Sequence, residues 1–328
     1  MTLDAHGKSN SNPLAHWPRP LAFVLSGGGA YGSTQVGMIN AVLETGIKPD
    51  MVVGTSVGAL NGAMLAADVD GAVDRLTEVW LSMDRRGVFG GRNRFTSAVS
   101  ALRNGLKTSS KALAAPDVLE SLIRETLTVE RIEELPITTG VVATDALVGM
   151  PKLLSMGQLT PALLASAAIP GVFPPVKIDG GMYIDGGVSA NVPIRQAIAF
   201  GARSVIVLNA NPGSMPGTLP TSLIGSAVHA SQIMLRNQRA DAVEDLVGKY
   251  PILTVPQSTP PTQSSFDFSN AGQLIEIGTD VTRGFLRRLP ELTDSSPAPE
   301  ADDMPEVELP PPPAPRPAPE GSTSRIAG

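Results

Sequence analysis

The chain has no cysteine, three histidines and 13 aromatic residues among its 328. Without cysteine there is no disulfide framework, thiolate nucleophile, zinc ribbon or iron–sulfur site. His6, His16 and His229 are too few and too scattered for a metal site built on imidazoles, so neither a metal nor a cofactor is expected. Long unbroken apolar runs are also missing. Three stretches carry no charge (Leu21–Leu43, Met51–Ala67 and Leu153–Val176), but glycines interrupt the first two and Pro161, Pro170, Pro174 and Pro175 the third. A spanning helix needs about 20 predominantly apolar residues in one element, so these stretches read as soluble core. The start of the chain has neither the basic beginning nor the apolar block of a signal peptide. The expected location is cytoplasmic, with any membrane contact peripheral.

The net charge of −6 is local. From Glu291 onward there are eight acids, two bases and ten of the 30 prolines, which leaves 23 bases and 23 acids in residues 1–290. No basic footprint for nucleic acid stands out in that balance. A tail of this composition buries too little apolar surface to offset chain entropy, so 291–328 is expected to be a disordered, acidic, proline-rich segment of unknown partner. Residues 1–20 are polar and irregular, and are expected to be disordered as well. The domain between them covers 21–290.

Within it, strand-like and helix-like pieces alternate. Leu21–Leu25, Met51–Val53, Pro136–Ala143, Lys152–Leu154, Val176–Ile178, Met182–Ile184, Ser204–Leu208 and Ile252–Val255 read as strands. Gln35–Leu43, Val57–Ala67, Val118–Leu127, Thr160–Ala168, Asn191–Phe200, Ser222–Leu246 and Ala271–Leu289 read as helices. Asp117 with Glu120 resembles a capping box, and Thr160-Pro161 an N-cap followed by proline at the first helical position. Asp179-Gly180-Gly181 reads as a hairpin turn. Such alternation predicts an α/β fold with a mostly parallel sheet covered on both faces.

Gly54-Thr55-Ser56-Val57-Gly58 follows a strand and opens a helix, the context of a G-x-S-x-G nucleophile elbow. Gly54 and Gly58 leave room for the sharp turn around the serine, whose oxygen would sit at the positive end of a helix. Gly27-Gly28-Gly29-Ala30-Tyr31-Gly32 also follows a strand and fits two chemistries. Gly27, Gly29 and Gly32 match the dinucleotide fingerprint; equally, the bare N–H groups of Gly27, Gly28 and Gly29 could form an oxyanion hole. A dinucleotide site wants an acid ending the second strand. Asp50 precedes that strand, so the oxyanion reading fits better. A serine nucleophile needs a base. His6 and His16 lie in the irregular start, and His229 on a predicted helix would serve an α/β-hydrolase triad or a structural role. The remaining option is a carboxylate: Asp185 stands just past a strand, before Gly186 and Gly187, although an aspartate there also suits a turn.

Together, the glycine-rich loop, Gly-Thr-Ser-Val-Gly, the stretch Ala165-Ser166-Ala167-Ala168-Ile169-Pro170-Gly171-Val172-Phe173-Pro174-Pro175, and Asp185-Gly186-Gly187 with Asn191 and Pro193 resemble the patatin-like phospholipases, in that family's order. The resemblance implies a three-layer α/β/α fold and a calcium-independent Ser56–Asp185 dyad. Gly27–Gly29 would be the oxyanion loop, and the substrate a carboxylic ester of a lipid, cleaved through an acyl-enzyme. Gly32, Gly54, Gly58, Gly186 and Gly187 would support the loops. The alternative is a catalytically idle patatin-like scaffold that binds lipid or a regulator. One departure is Tyr31, where the family's loop usually carries arginine or lysine; a positive charge near the oxyanion and any lipid phosphate is thereby lost. For Asp185 to serve as a base for an alcohol, burial should raise its pKa. Finally, seven bases and no acid lie between Asp84 and Asp117. Residues 85–115 read either as a basic, lid-like helix meeting anionic lipid or as a packed helix with a solvated basic face.

Overall fold

The computed structural model describes residues 13–86, 116–212, 248–260, 265 and 267–293, with isolated positions at 233, 234, 237 and 246. Eight strands form a single sheet: β1 (Leu21–Leu25), β2 (Met51–Thr55), β3 (Thr138–Asp145), β4 (Pro151–Leu154), β5 (Val176–Ile178), β6 (Gly181–Asp185), β7 (Ser204–Leu208) and β8 (Ile252–Thr254). Their order is β5-β6-β3-β2-β1-β7-β8, with β4 also paired to β3. The β3, β2, β1, β7 and β8 pairings are parallel, whereas β4, β5 and β6 join antiparallel. Every residue of β1, β2 and β7 is buried. Strands covered on both faces need this continuous apolar composition, so the uncharged runs that hold β1 and β2 are core, whereas the run Leu153–Val176 is buried only in part.

The helices are α1 (Gly32–Leu43), α2 (Val57–Ala67), α3 (Ala72–Arg86), α4 (Pro116–Thr126), α5 (Leu159–Ser166), α6 (Gly187–Ala190), α7 (Ile194–Ala199) and α8 (Ala271–Thr293). On one face of the sheet Phe23, Leu25, Val52, Ile206 and Leu208 pack with residues of α1 to α5 and α8; on the other, Val24, Val53, Val205 and Val207 pack with Ile194, Ala197 and Ile198 of α7. The fold is therefore α/β in three layers around a mostly parallel sheet, as the alternation predicts.

Pairing along β3 positions everything that follows. Its residues Val141–Thr144 pair with β4 along one edge. The opposite edge is shared. β2 pairs there as far as Thr55 opposite Val142, and β6 begins with Asp185 opposite Ala143. β2 runs up this edge and β6 runs down it, so the two strands end against each other.

Several boundaries differ from the sequence expectation. Residues 13–20, expected to be disordered, lie on the domain: Leu14 is buried, Arg203 N–H donates to Pro20 O at 2.9 Å, and Asp50 receives both Arg19 (2.7 Å) and the N–H of Leu21 (2.7 Å). This segment is tied, where it enters β1, to residues just before β2 and β7, which hydropathy alone does not reveal. Helix α4 starts at Pro116, so Asp117 stands in its first turn and is no cap, while Glu120 pairs with Arg124 one turn on. Helix α5 starts at Leu159, because Leu159 N–H donates to Glu130 O and Gln158 bridges Arg131, which keeps the chain extended up to Gln158. Thr160-Pro161 thus lies within the first turn. The helix expected over 191–200 is α7, which starts only at Ile194, after Pro193; the separate short helix α6 precedes this range. Helix α8 continues to Thr293, past the expected start of the tail. Residues 294–328, most of the basic segment 85–115, and most of the helix expected over 222–246, with His229, lie outside the described residues.

Helices α1 and α8 touch backbone to backbone. A Cβ on Gly37 would lie 2.1 Å from Ile275 O, and one on Gly278 would lie 2.4 Å from Thr34 O. Gly37→Ala should therefore lower stability by about 1–3 kcal/mol. Gly284→Ala on the same helix α8, where a Cβ meets open space, should be neutral or stabilising by up to about 1 kcal/mol. Urea denaturation of the two variants checks this contrast.

Candidate active site

Ser56 is the residue between β2 and α2, and its backbone is held at φ 54°, ψ −126°. Positive φ is costly for a residue with a Cβ and persists only where the surroundings impose it. Here they do. A Cβ on Gly54 would lie 2.4 Å from Gly58 O, and one on Gly58 would lie 2.4 Å from Leu25 O, so the turn is closed by backbone on both sides.

Strand β6 delivers Asp185 to the same point. Ser56 Oγ donates to Asp185 Oδ2 at 2.7 Å, and Gly187 N–H donates to Asp185 Oδ1 at 2.7 Å. The backbone of Asp185 is held at both ends: its N–H donates to Ala168 O at 2.9 Å and its C=O accepts from Thr144 Oγ1 at 2.8 Å. Ser56 and Asp185 are both buried, 7% and 6% exposed. Burial pushes the Asp185 carboxyl from its ordinary 3.8 up to about 6, against the opposing effect of the hydrogen bonds from Ser56 and Gly187. Asp179, the other acid of this hairpin, has φ 47° and occupies the exposed β5–β6 turn with Gly180.

The glycine-rich loop lies beside Ser56. A Cβ on Gly27 would lie 3.3 Å from Ser56 Cβ and 2.6 Å from Asn191 Oδ1. One on Gly32 would meet Val57 Cγ2 at 2.5 Å, and one on Gly186 would meet Val142 O at 2.1 Å. These three glycines permit close packing of loops. The expectation for Gly27 as an oxyanion donor needs correction, because its N–H donates to Asn191 O at 3.0 Å. Among the described residues, the N–H groups of Gly28 and Gly29 have no such partner. Tyr31 is buried under the loop and hydrogen-bonds Ser265, and burial raises its hydroxyl pKa.

Sequence reasoning assigned no role to Ser166, which sits inside the Ala-Ser-Ala-Ala-Ile-Pro stretch. Its hydroxyl accepts the Ser56 N–H at 2.8 Å and donates to Val142 O at 2.6 Å, joining the elbow to β3. Behind the glycine loop a buried chain runs from Trp80 Nε1 to Asn61 Oδ1 (3.0 Å), from Asn61 Nδ2 to Gln35 Oε1 (2.9 Å), and from Gln35 Nε2 to Ser26 O (2.8 Å). Polar residues in otherwise apolar helices were the available signal for Gln35 and Asn61. Among the described residues no group of three or more His, Cys, Asp or Glu could hold a metal ion, and no helix is long and apolar enough to cross a membrane.

Residues 23–198 match the family model described as patatin-like phospholipase. An uncharacterized NTE family protein of Mycobacterium tuberculosis is 32% identical over 197 residues, covering 60% of this chain and 50% of the relative. Lysophospholipase NTE1 of Saccharomyces cerevisiae is 25% identical over 288 residues, covering 82% of this chain and 16% of the relative. Among solved structures, VipD from Legionella pneumophila aligns with a TM-score of 0.44 at 17% identity, over 82% of this chain and 67% of that one. The chain spans half or less of the length of these curated relatives.

Two outcomes follow from the geometry. A carboxyl whose folded pKa is raised favours the fold while protonated, and that stability is lost as pH climbs from 3.8 through about 6. Asp185→Asn should therefore stabilise the protein at pH 8, by at most about 3 kcal/mol, and leave it nearly unchanged at pH 4, as read by thermal melts at both values. Ser166→Ala leaves the buried N–H of Ser56 without its partner, which should cost about 1–3 kcal/mol in denaturant titrations.

Proposed function

The chain belongs to the patatin-like phospholipase family, and on that premise we propose that it is a serine hydrolase that cleaves carboxylic esters of lipids with Ser56 and Asp185. The observation that carries this reading is the 2.7 Å hydrogen bond from Ser56 Oγ to a buried carboxylate whose pKa is raised to about 6. An aspartate near its ordinary pKa is a weak base for an alcohol; a raised pKa brings it closer to neutral pH while leaving it mostly ionised there.

In the proposed cycle Ser56 Oγ attacks the ester carbonyl carbon as Asp185 Oδ2 takes the hydroxyl proton. The carbonyl oxygen becomes an oxyanion facing the Gly28 and Gly29 N–H groups, donors that need no reorganisation as charge develops. The tetrahedral intermediate collapses, the C–O bond to the alcohol breaks, and the proton on Asp185 passes to the leaving oxygen. Water then gives a proton to Asp185 and attacks the acyl-serine, and collapse of the second intermediate releases the carboxylic acid and restores the Ser56 hydroxyl. The Gly187 N–H on Oδ1 leaves Oδ2 facing the serine throughout. No step uses calcium. The family, with relatives named as lysophospholipases and phospholipase-domain proteins, supports a lipid as the source of the ester.

A fluorophosphonate probe tests the reading. The protein should be labelled covalently, Ser56→Ala should not react, and Asp185→Asn should react at least about 100-fold more slowly. With a short-chain ester, kcat/KM should fall about tenfold per pH unit below pH 6 and be unchanged by EGTA. Folded protein that resists labelling overturns the proposal in favour of a lipid-binding scaffold.

A further inference from the structure

Strand β3 continues two residues past Ala143, the residue level with Asp185, and turns over at Asp145–Met150 into β4. At about 3.3 Å per residue, the turn starts about 7 Å beyond the dyad, on the same end of the sheet. It carries three adjacent large apolar side chains in water: Leu147 is 86% exposed, Val148 70% and Met150 62%. Scattered single apolar residues on a surface are ordinary, whereas a cluster on one turn beside a functional site marks a contact.

The backbone of the turn shows which kind of contact. Five N–H groups between Asp145 and Gly149 have partners inside the protein. Asp145 N–H donates to Met150 O (3.0 Å), Ala146 N–H to Met182 O (2.8 Å) and Gly149 N–H to Asp145 O (2.8 Å). Leu147 and Val148 N–H both donate to Asp145 Oδ1 (2.9 and 3.1 Å). Gly149 supplies the positive φ of 75° that closes the loop. Exposed loops commonly leave such donors to water, and moving an unsatisfied donor out of water is costly. A turn that has internalised its donors and projects three apolar side chains loses less by dipping its tip into an apolar phase than a turn whose donors are free. Three side chains are far too small a surface for a stable second copy or protein partner, which needs about 800 Å² per side. Insertion of a tip into lipid has no such threshold.

We infer that the β3–β4 turn, through Leu147, Val148 and Met150, is the element by which this protein enters a lipid surface beside its active site. The inference rests on the reading of that site as a lipid-ester hydrolase. The exposed bases near the tip, Lys152 and Lys177, are matched in number by Asp145 and Asp179, so the contact is apolar in character and should be insensitive to salt.

The test uses the full chain and vesicles of phosphatidylcholine alone. Sedimentation should show binding that persists in 0.5 M NaCl, and L147S/V148S/M150S should weaken the partition by about tenfold or more. That triple variant should melt like the parent and hydrolyse a soluble short-chain ester at the parent rate. Leu147→Trp should add a fluorescence component that shifts to the blue with vesicles. Unchanged vesicle binding by the triple variant, no blue shift of the fluorescence added by Leu147→Trp, binding abolished by salt, or a concentration-dependent dimer that the triple variant loses would each overturn the inference. Vesicle binding is read equally well in Ser56→Ala, so a failed hydrolase reading leaves this test intact and distinguishable.

Discussion

The site exists because two strands stop head to head on one edge of a third. Thr55 is the last residue of β2 and pairs with Val142; Asp185 is the last residue of β6 and pairs with Ala143. Adjacent residues of β3 therefore fix where both chain ends emerge. Strand spacing places their next atoms within hydrogen-bond reach. Gly186 is the seam, since its missing side chain is what lets β6 close against Val142 O and Thr55. Shifting either strand by one residue would turn its terminal side chain to the other face, and the pair would not form.

This arrangement opposes stability in two ways. Ser56 occupies a backbone region unfavourable for a residue with a Cβ, and Asp185 carries its charge where water is almost absent. The first cost acts at every pH; the second appears as Asp185 ionises, above about pH 6. The surroundings offset them with fixed partners: Ser166 on the elbow N–H, Gly187 on the carboxylate, Ala168 and Thr144 on the backbone of Asp185. These contacts come from β3, α5 and the segment around α6, so distortion of any of them reaches the Ser56–Asp185 hydrogen bond. The large core on both sides of the sheet makes the strain tolerable.

The glycine loop shows the same logic in its backbone. Gly27 N–H donates to Asn191 O and its C=O accepts from Asn211 Nδ2, while the chain from Trp80 through Asn61 to Gln35 holds the preceding residue. With its first amide tethered, the loop keeps the next two without a protein partner among the described residues. On the proposed reading, such a tether preorganises the two donors, which act without moving when charge appears.

How much could be read from the chain follows from the range of the forces involved. Buried strands, the turn glycines Gly54 and Gly58, and the β5–β6 turn were legible because their causes lie within a few residues: an apolar run, a missing Cβ, a dipeptide that tolerates positive φ. The helix start at Leu159 differs from the local cap signal because a contact with the distant Glu130 holds the preceding chain extended. Serine and carboxylate could be nominated from motif and order, but their meeting, 129 residues apart in sequence, is a property of β3 pairing. The sequence alone determined an α/β domain with a serine elbow, a glycine loop and an acid at a strand end. Tertiary structure alone decided that Asp185 is buried and its pKa raised, that Gly27 has no amide to offer, and that Ser166 anchors the elbow. Burial and hydrogen-bond partners are set by segments far apart in the chain, and no local pattern carries them.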